Sequence, residues 1–164
     1  MALASDIARC AGRTCALLAR RKLHLDRTHI NATAVIPPVR AYTVFRESRC
    51  DVARAEASVT LAVWFTLRFV PEDARARRWL FERESICNTL LFAGCEGYVR
   101  KLWMVDPRTS EYAGLYTWAG ASSAQRYGRY ITSILRPMSA PGSCGHAVID
   151  DVTVDECLAA GRMR

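Results

Sequence analysis

Residues 97–118 read GYVRKLWMVDPRTSEYAGLYTW, with two tryptophans and three tyrosines in one short stretch. Two aromatic-rich runs flank an Asp106-Pro107 step, so the stretch reads as a β-hairpin. Proline sets φ for a turn, and an aspartate before it can bond the amides that follow. Strict alternation predicts Tyr98, Arg100, Leu102 and Met104 on one face of the first strand, with Val99, Lys101, Trp103 and Val105 on the other. In the second strand it groups Tyr112, Gly114, Tyr116 and Trp118 against Ala113, Leu115 and Thr117. The expectation is that Tyr98, Tyr116 and Trp118 share one face of the sheet while Lys101 and Trp103 share the opposite one.

The flanking segments continue the pattern. Val59, Leu61, Val63, Phe65, Leu67 and Phe69 alternate with more polar neighbours, which predicts a strand from residue 58. Pro71-Glu72-Asp73 suits the first turn of a helix, with Ala76, Leu80, Cys87 and Leu91 on its buried side and Gly94 and Gly97 at its exit. After the hairpin, Ala121, Ala124, Tyr127, Ile131, Ile134 and Leu135 recur at helical spacing. A last strand is predicted over His146 to Val154, then a short helical turn from Asp155 to Ala160. Strand–helix–strand–strand–helix–strand is the α+β, ferredoxin-like βαββαβ order. It predicts a four-stranded antiparallel sheet with two helices on one face, and a bare second face for which dimerisation is the natural remedy.

Residues 1–57 read differently. Leu3, Ile7, Cys10, Ala11, Thr14 and Leu18 predict a helix over about residues 6–22, capped by Ser5 or Asp6 and ending at Arg20-Arg21-Lys22. Beyond Pro37-Pro38 no period is visible, so residues 1–57 read as a basic helical and irregular arm, 58–160 as the domain and 161–164 as a tail. Such an arm is the kind of segment left disordered, or added by a start codon assigned too early.

The formal charge of +7 is concentrated there: residues 1–57 carry ten basic against five acidic side chains, and the remainder thirteen against eleven. The charges form no stripe and accompany no nucleic-acid motif, so no nucleic-acid partner is expected. Only Lys22 and Lys101 are lysines, an arginine bias that points to a GC-rich bacterial coding sequence. Seven cysteines without Cys-x-x-Cys spacing read as reduced thiols in the cytoplasm, with no metal site. No apolar run reaches the roughly 20 residues of a membrane span, so no membrane partner is expected. A phosphate-cradling glycine loop and a nucleophile elbow are both missing from the sequence, which disfavours phosphoryl transfer and hydrolysis.

The hairpin residues Gly97, Lys101, Trp103, Asp106-Pro107, Gly114 and Tyr116, followed by Ala124 and Tyr127, resemble the YdhR-like monooxygenases of the dimeric α+β barrel superfamily, over about residues 58–160. Trp118 is followed by Ala119-Gly120, and Cys95-Glu96 precedes Gly97, where that family tends to carry acidic residues and a proline. The resemblance implies a homodimer and cofactor-independent oxygenation of a small aromatic compound. The alternative is a non-catalytic dimeric module of the same fold that binds a hydrophobic ligand or a protein; a third reading is a haem-binding member. The expected pocket walls are Trp64, Trp79, Phe92, Trp103, Tyr116, Trp118 and Tyr127. The polar candidates are Lys101, Asn88, Arg100 and His146, with Lys101 and His146 the catalytic candidates. Each has a plainer role open to it. Aromatics at strand spacing pack in cores, a lysine stem packs over tryptophan, and a histidine after a glycine-rich loop is commonly solvated.

Overall fold

A computed structural model describes residues 2–37, 40–51, 58–68, 88–150 and 152–163. In chain order the elements are α1 (Ala2–Ala19), β1 (Leu23–Asp26), β2 (Thr33–Ile36), β3 (Arg40–Cys50), β4 (Ser58–Phe65), β5 (Tyr98–Val105), β6 (Tyr112–Ala119), α2 (Ala121–Leu135), β7 (Gly145–Ile149) and α3 (Val154–Arg162). The helix predicted from Pro71 onward, with Trp79, lies outside the described residues up to Cys87.

The class is α+β, with a large antiparallel sheet. It has seven strands where the sequence predicts four, and it does not close into a barrel. Strands β7-β4-β6-β5 run side by side, and β3 extends the sheet beyond β5. The outer edge of the long β3 is shared by β1, which pairs with residues 47–50, and β2, which pairs with residues 40–43. The segment read as an irregular linker thus covers the β5 edge, which would otherwise offer unpaired backbone groups to other chains. Its period is hidden for a physical reason. The β3–β5 register shifts between Val44 and Arg46, so Tyr42 and Val44 fall on one face and the phase then reverses. Buried Glu47 and Ser48 further obscure the strand's polarity.

Both sheet faces are covered. On the first, α1 and α2 enclose Leu61, Val63, Phe92, Tyr98, Trp103, Tyr116, Trp118, Tyr127 and Ile131. On the second, α3 packs on β2, and Ala34, Tyr42, Val44, Leu102, Met104, Leu115, Cys157 and Leu158 form a separate core. The bare face on which dimerisation was expected is therefore filled from within the chain: Leu102 and Leu115 are fully buried.

The C-terminal elements differ from expectation because of a cap. Thr153 accepts from the Glu156 N–H and donates its own N–H to the Glu156 carboxylate, a capping box that ends β7 at Ile149 and starts α3 at Val154. The helix runs to Arg162, through the residues read as a tail, and Gly161 lets it approach so close that a Cβ there would lie 1.9 Å from the Thr33 carbonyl oxygen.

An ion network ties the N-terminal strands to the core on this second face. The Glu47 carboxylate, 2% exposed, accepts from Arg100 Nε at 2.7 Å and lies 2.9 Å from His29 Nδ1, while Arg100 also reaches Asp155 at 2.8 Å. No helix among the described residues is long and apolar enough to cross a membrane.

Candidate functional site

The hairpin forms as predicted, with Asp106 accepting from the Arg108 N–H in its turn. Its faces do not. The β5–β6 register shifts between Tyr98 and Arg100, a bulge that inverts the side-chain phase at the start of β5. Tyr98 therefore joins Lys101 and Trp103, and pairing sets Lys101 opposite Tyr116, Trp103 opposite Gly114 and Tyr98 opposite Trp118. Tyr98, Lys101, Trp103, Tyr116 and Trp118 thus all lie on the α1–α2 face, correcting the expectation of two opposed groups. Arg100 is on the other face, in the network with Glu47.

Lys101 is 2% exposed, and its Nζ lies 4.2 Å from the ring centroid of Phe92, 4.4 Å from Trp103 and 4.8 Å from Tyr116. All three distances are within cation–π range of a lysine ammonium. A cavity of about 20 Å³ adjoins it, between Val63, Asn88, Trp103, Gly114, Tyr116 and Ile131. That is room for about one water or a molecule of similar size. Asn88 Oδ1 and Trp103 Nε1 are buried without a hydrogen-bond partner among the described residues.

A larger cleft of about 220 Å³ opens between α1, the 93–96 turn and α2. Its inner wall is Trp118, Tyr127 and Tyr130; its rim carries Arg9, Arg13, Arg126 and Glu96. Trp118 Nε1 is another buried donor without a partner among the described residues. Tilted and edge-on aromatics separate the two spaces: Trp118 and Tyr127 have ring centroids 4.8 Å apart, and the Tyr116 and Tyr127 hydroxyls are 3.4 Å apart. Burial pushes the phenols of Tyr98, Tyr116 and Tyr127 well up, so they are proton donors and not bases.

Of the sequence-predicted residues, Asn88, Phe92, Lys101, Trp103 and Tyr116 gather round the small cavity, and Trp118 and Tyr127 line the cleft. Trp64 points to the second face, where the Arg40 guanidinium sits 5.5 Å from its ring. His146 is on β7, separated from β5 by β6 and β4, with Nδ1 3.3 Å from the Thr132 hydroxyl and its ring against Gly128 of α2. Burial, then Arg129 and Arg136, lower its pKa, so it is a neutral packing residue near pH 7. It lines neither space, which removes the geometry for a haem-ligating or basic role there.

Sequence reading missed the cleft's outer wall, Arg9, Cys10, Arg13, Cys95 and Arg126. The concentration of arginine in the first 57 residues was the available signal, but nothing local joins α1 to α2. Among the described residues no group of His, Cys, Asp and Glu is placed to hold a metal ion. No protein-family model, curated protein or solved structure matches the chain.

Proposed function

We propose that the chain is a ligand-binding protein whose ligand is a flat hydrophobic molecule bearing an anionic group, held in the cleft between α1 and α2. The scaffold we assign to it is ferredoxin-like, supported by the strand order β7-β4-β6-β5, with β1–β3 as an N-terminal extension. The observation that carries the reading is the combination of an aromatic wall with an arginine rim. Trp118, Tyr127 and Tyr130 line the cleft's inner side, while the exposed Arg13 and Arg126 stand at the mouth. Guanidinium groups favour carboxylates over neutral analogues through charge-assisted, bidentate bonds.

Titration calorimetry with aromatic carboxylates and their neutral amides tests this. The expected outcome is saturable binding of carboxylates only, weakened about tenfold or more by Arg126→Ala, in line with ~1.5–3 kcal/mol for a charged hydrogen bond. Equal binding of acid and amide, or no change in the variant, would sink the reading.

A second reading, cofactor-independent oxygenation of an aromatic compound by a YdhR-like protein, is favoured by Lys101. A buried ammonium facing a water-sized cavity is suited to stabilise a substrate anion beside dioxygen. Oxygen uptake with anthrone or hydroquinone substrates, lost in Lys101→Met, is the expected signature; absence of uptake across such a panel removes it. The homodimer that this family would imply is checked by solution scattering.

A further inference from the structure

We propose that Cys10 and Cys95 form a redox-active dithiol that a hydroperoxide oxidises to a disulfide, fastening α1 to the core. Their Sγ atoms lie 3.1 Å apart across 85 positions of sequence, although no local motif pairs them. The approach is built into the backbone. Gly94 packs so tightly on α1 that a Cβ there would lie 2.1 Å from the Cys10 carbonyl oxygen and 2.7 Å from the Thr14 nitrogen. Both thiols line the 220 Å³ cleft, which gives a small oxidant a route to Cys10 although that residue is only 5% exposed.

The two sulfurs are unequal. The hydrogen bond from Cys95 holds the Cys10 thiol below its usual range, aided by the Gly94 N–H, Thr14 and the charge of Arg13, against the opposing effect of burial. The same hydrogen bond and burial push Cys95 up. Among the described residues, Arg9 and Arg13 on α1, Glu96 in the turn and Arg126 on α2 are the charged groups lining the cleft around the pair. The Leu91 carbonyl accepts from Cys95 Sγ at 3.6 Å, which keeps the proton on Cys95, so Cys10 is the attacking sulfur and Cys95 the resolving one. Burial raises Cys50, Cys144 and Cys157 instead.

The chemistry balances with hydrogen peroxide as oxidant. The Cys10 thiolate attacks one peroxide oxygen, the O–O bond breaks, and the products are a sulfenic acid and hydroxide. The Cys95 sulfur then attacks the sulfenic sulfur, and its proton leaves with the departing hydroxyl as water. In sum two thiols and one peroxide give one disulfide and two waters, with the sulfurs giving up two electrons. A small thiol reverses the bond by exchange. The sulfurs need to close by about 1 Å to reach the ~2.05 Å of the bond.

The reaction stands apart from the ligand reading and is tested without any ligand. Reduced full-length protein, freed of reductant, is titrated with hydrogen peroxide, alkylated and digested without reduction. The expected result is an intact mass lower by two hydrogens, one linked peptide pair carrying Cys10 and Cys95, and reversal by dithiothreitol. In Cys95→Ser, dimedone is expected to trap a sulfenic acid at Cys10. In Cys10→Ser, Cys95 is expected to stay alkylatable at the same peroxide dose. The wild-type map decides even if a variant folds poorly. Cys10 still alkylatable when exposed Cys15 is already oxidised, or a linkage joining Cys10 to another cysteine, overturns the proposal.

Discussion

Lys101 stands opposite Tyr116 in the β5–β6 ladder, and its Nζ lies 4.8 Å from the tyrosine ring centroid. With Phe92 and Trp103 also against it, the only lysine after residue 22 is a core residue. Truncating it removes both a packed stem and a desolvated cation–π contact worth about 2 kcal/mol. Lys101→Ala is expected to lower unfolding free energy by about 2–4 kcal/mol, read from urea denaturation. An effect below about 0.5 kcal/mol, the range of ordinary surface substitutions, would contradict the burial described.

Gly94 and Gly12 give opposite expectations on the same helix contact. A Cβ at Gly94 collides with α1 backbone, which cannot rotate away, so Gly94→Ala should displace the helix. The expected cost is about 1–3 kcal/mol, with trypsin cleavage at Arg13 accelerated. Gly12 lies mid-helix with nothing within 4 Å of its Cβ position, so Gly12→Ala should stabilise by about 0.5–1 kcal/mol. A destabilised Gly12→Ala would show that α1 packs differently.

Glu47 and Asp155 both pair with Arg100, yet their side chains are 2% and 80% exposed. Removing the buried partner leaves Arg100 only its solvent-exposed pair with Asp155, and Glu47→Ala is expected to cost about 2–4 kcal/mol. Asp155→Ala should cost less than about 1 kcal/mol, as exposed pairs do. Thermal unfolding of the two variants side by side measures the contrast, and equal shifts would refute it.

The phenols of Tyr98, Tyr116 and Tyr127 are raised by burial above the ordinary value of 10.0. Above that pH the unfolded chain releases protons that the folded chain keeps, so stability is full below about pH 10 and falls as pH rises beyond it. Absorbance titration at alkaline pH should show these tyrosines ionising together with loss of tertiary circular dichroism. Smooth ionisation of all six tyrosines with structure intact would contradict the burial.

Much of the sheet was legible because its signals are local. The alternation of Val59 to Phe65 names the α1–α2 face of β4 correctly, and Asp106-Pro107 marks the hairpin turn. Side-chain phase was not legible where a single extra residue reverses it. One bulge moves Tyr98 to the face of Lys101, and another conceals β3 within what reads as linker. The site shows the same division. Phe92, Lys101, Trp103 and Tyr116 were found from one hairpin and its approach, whereas the arginine rim and the Cys10–Cys95 pair come from segments far apart in the chain.

Composition and periodicity were enough to establish an α+β chain with an aromatic hairpin at its centre, because apolar alternation and turn chemistry act over a few residues. Which aromatics share a face, that the N-terminal strands complete the sheet, and that two thiols meet across α1 were decided only by tertiary packing. Bulges, close backbone approaches and long-range pairings such as Glu47 with Arg100 depend on partners that no local window contains.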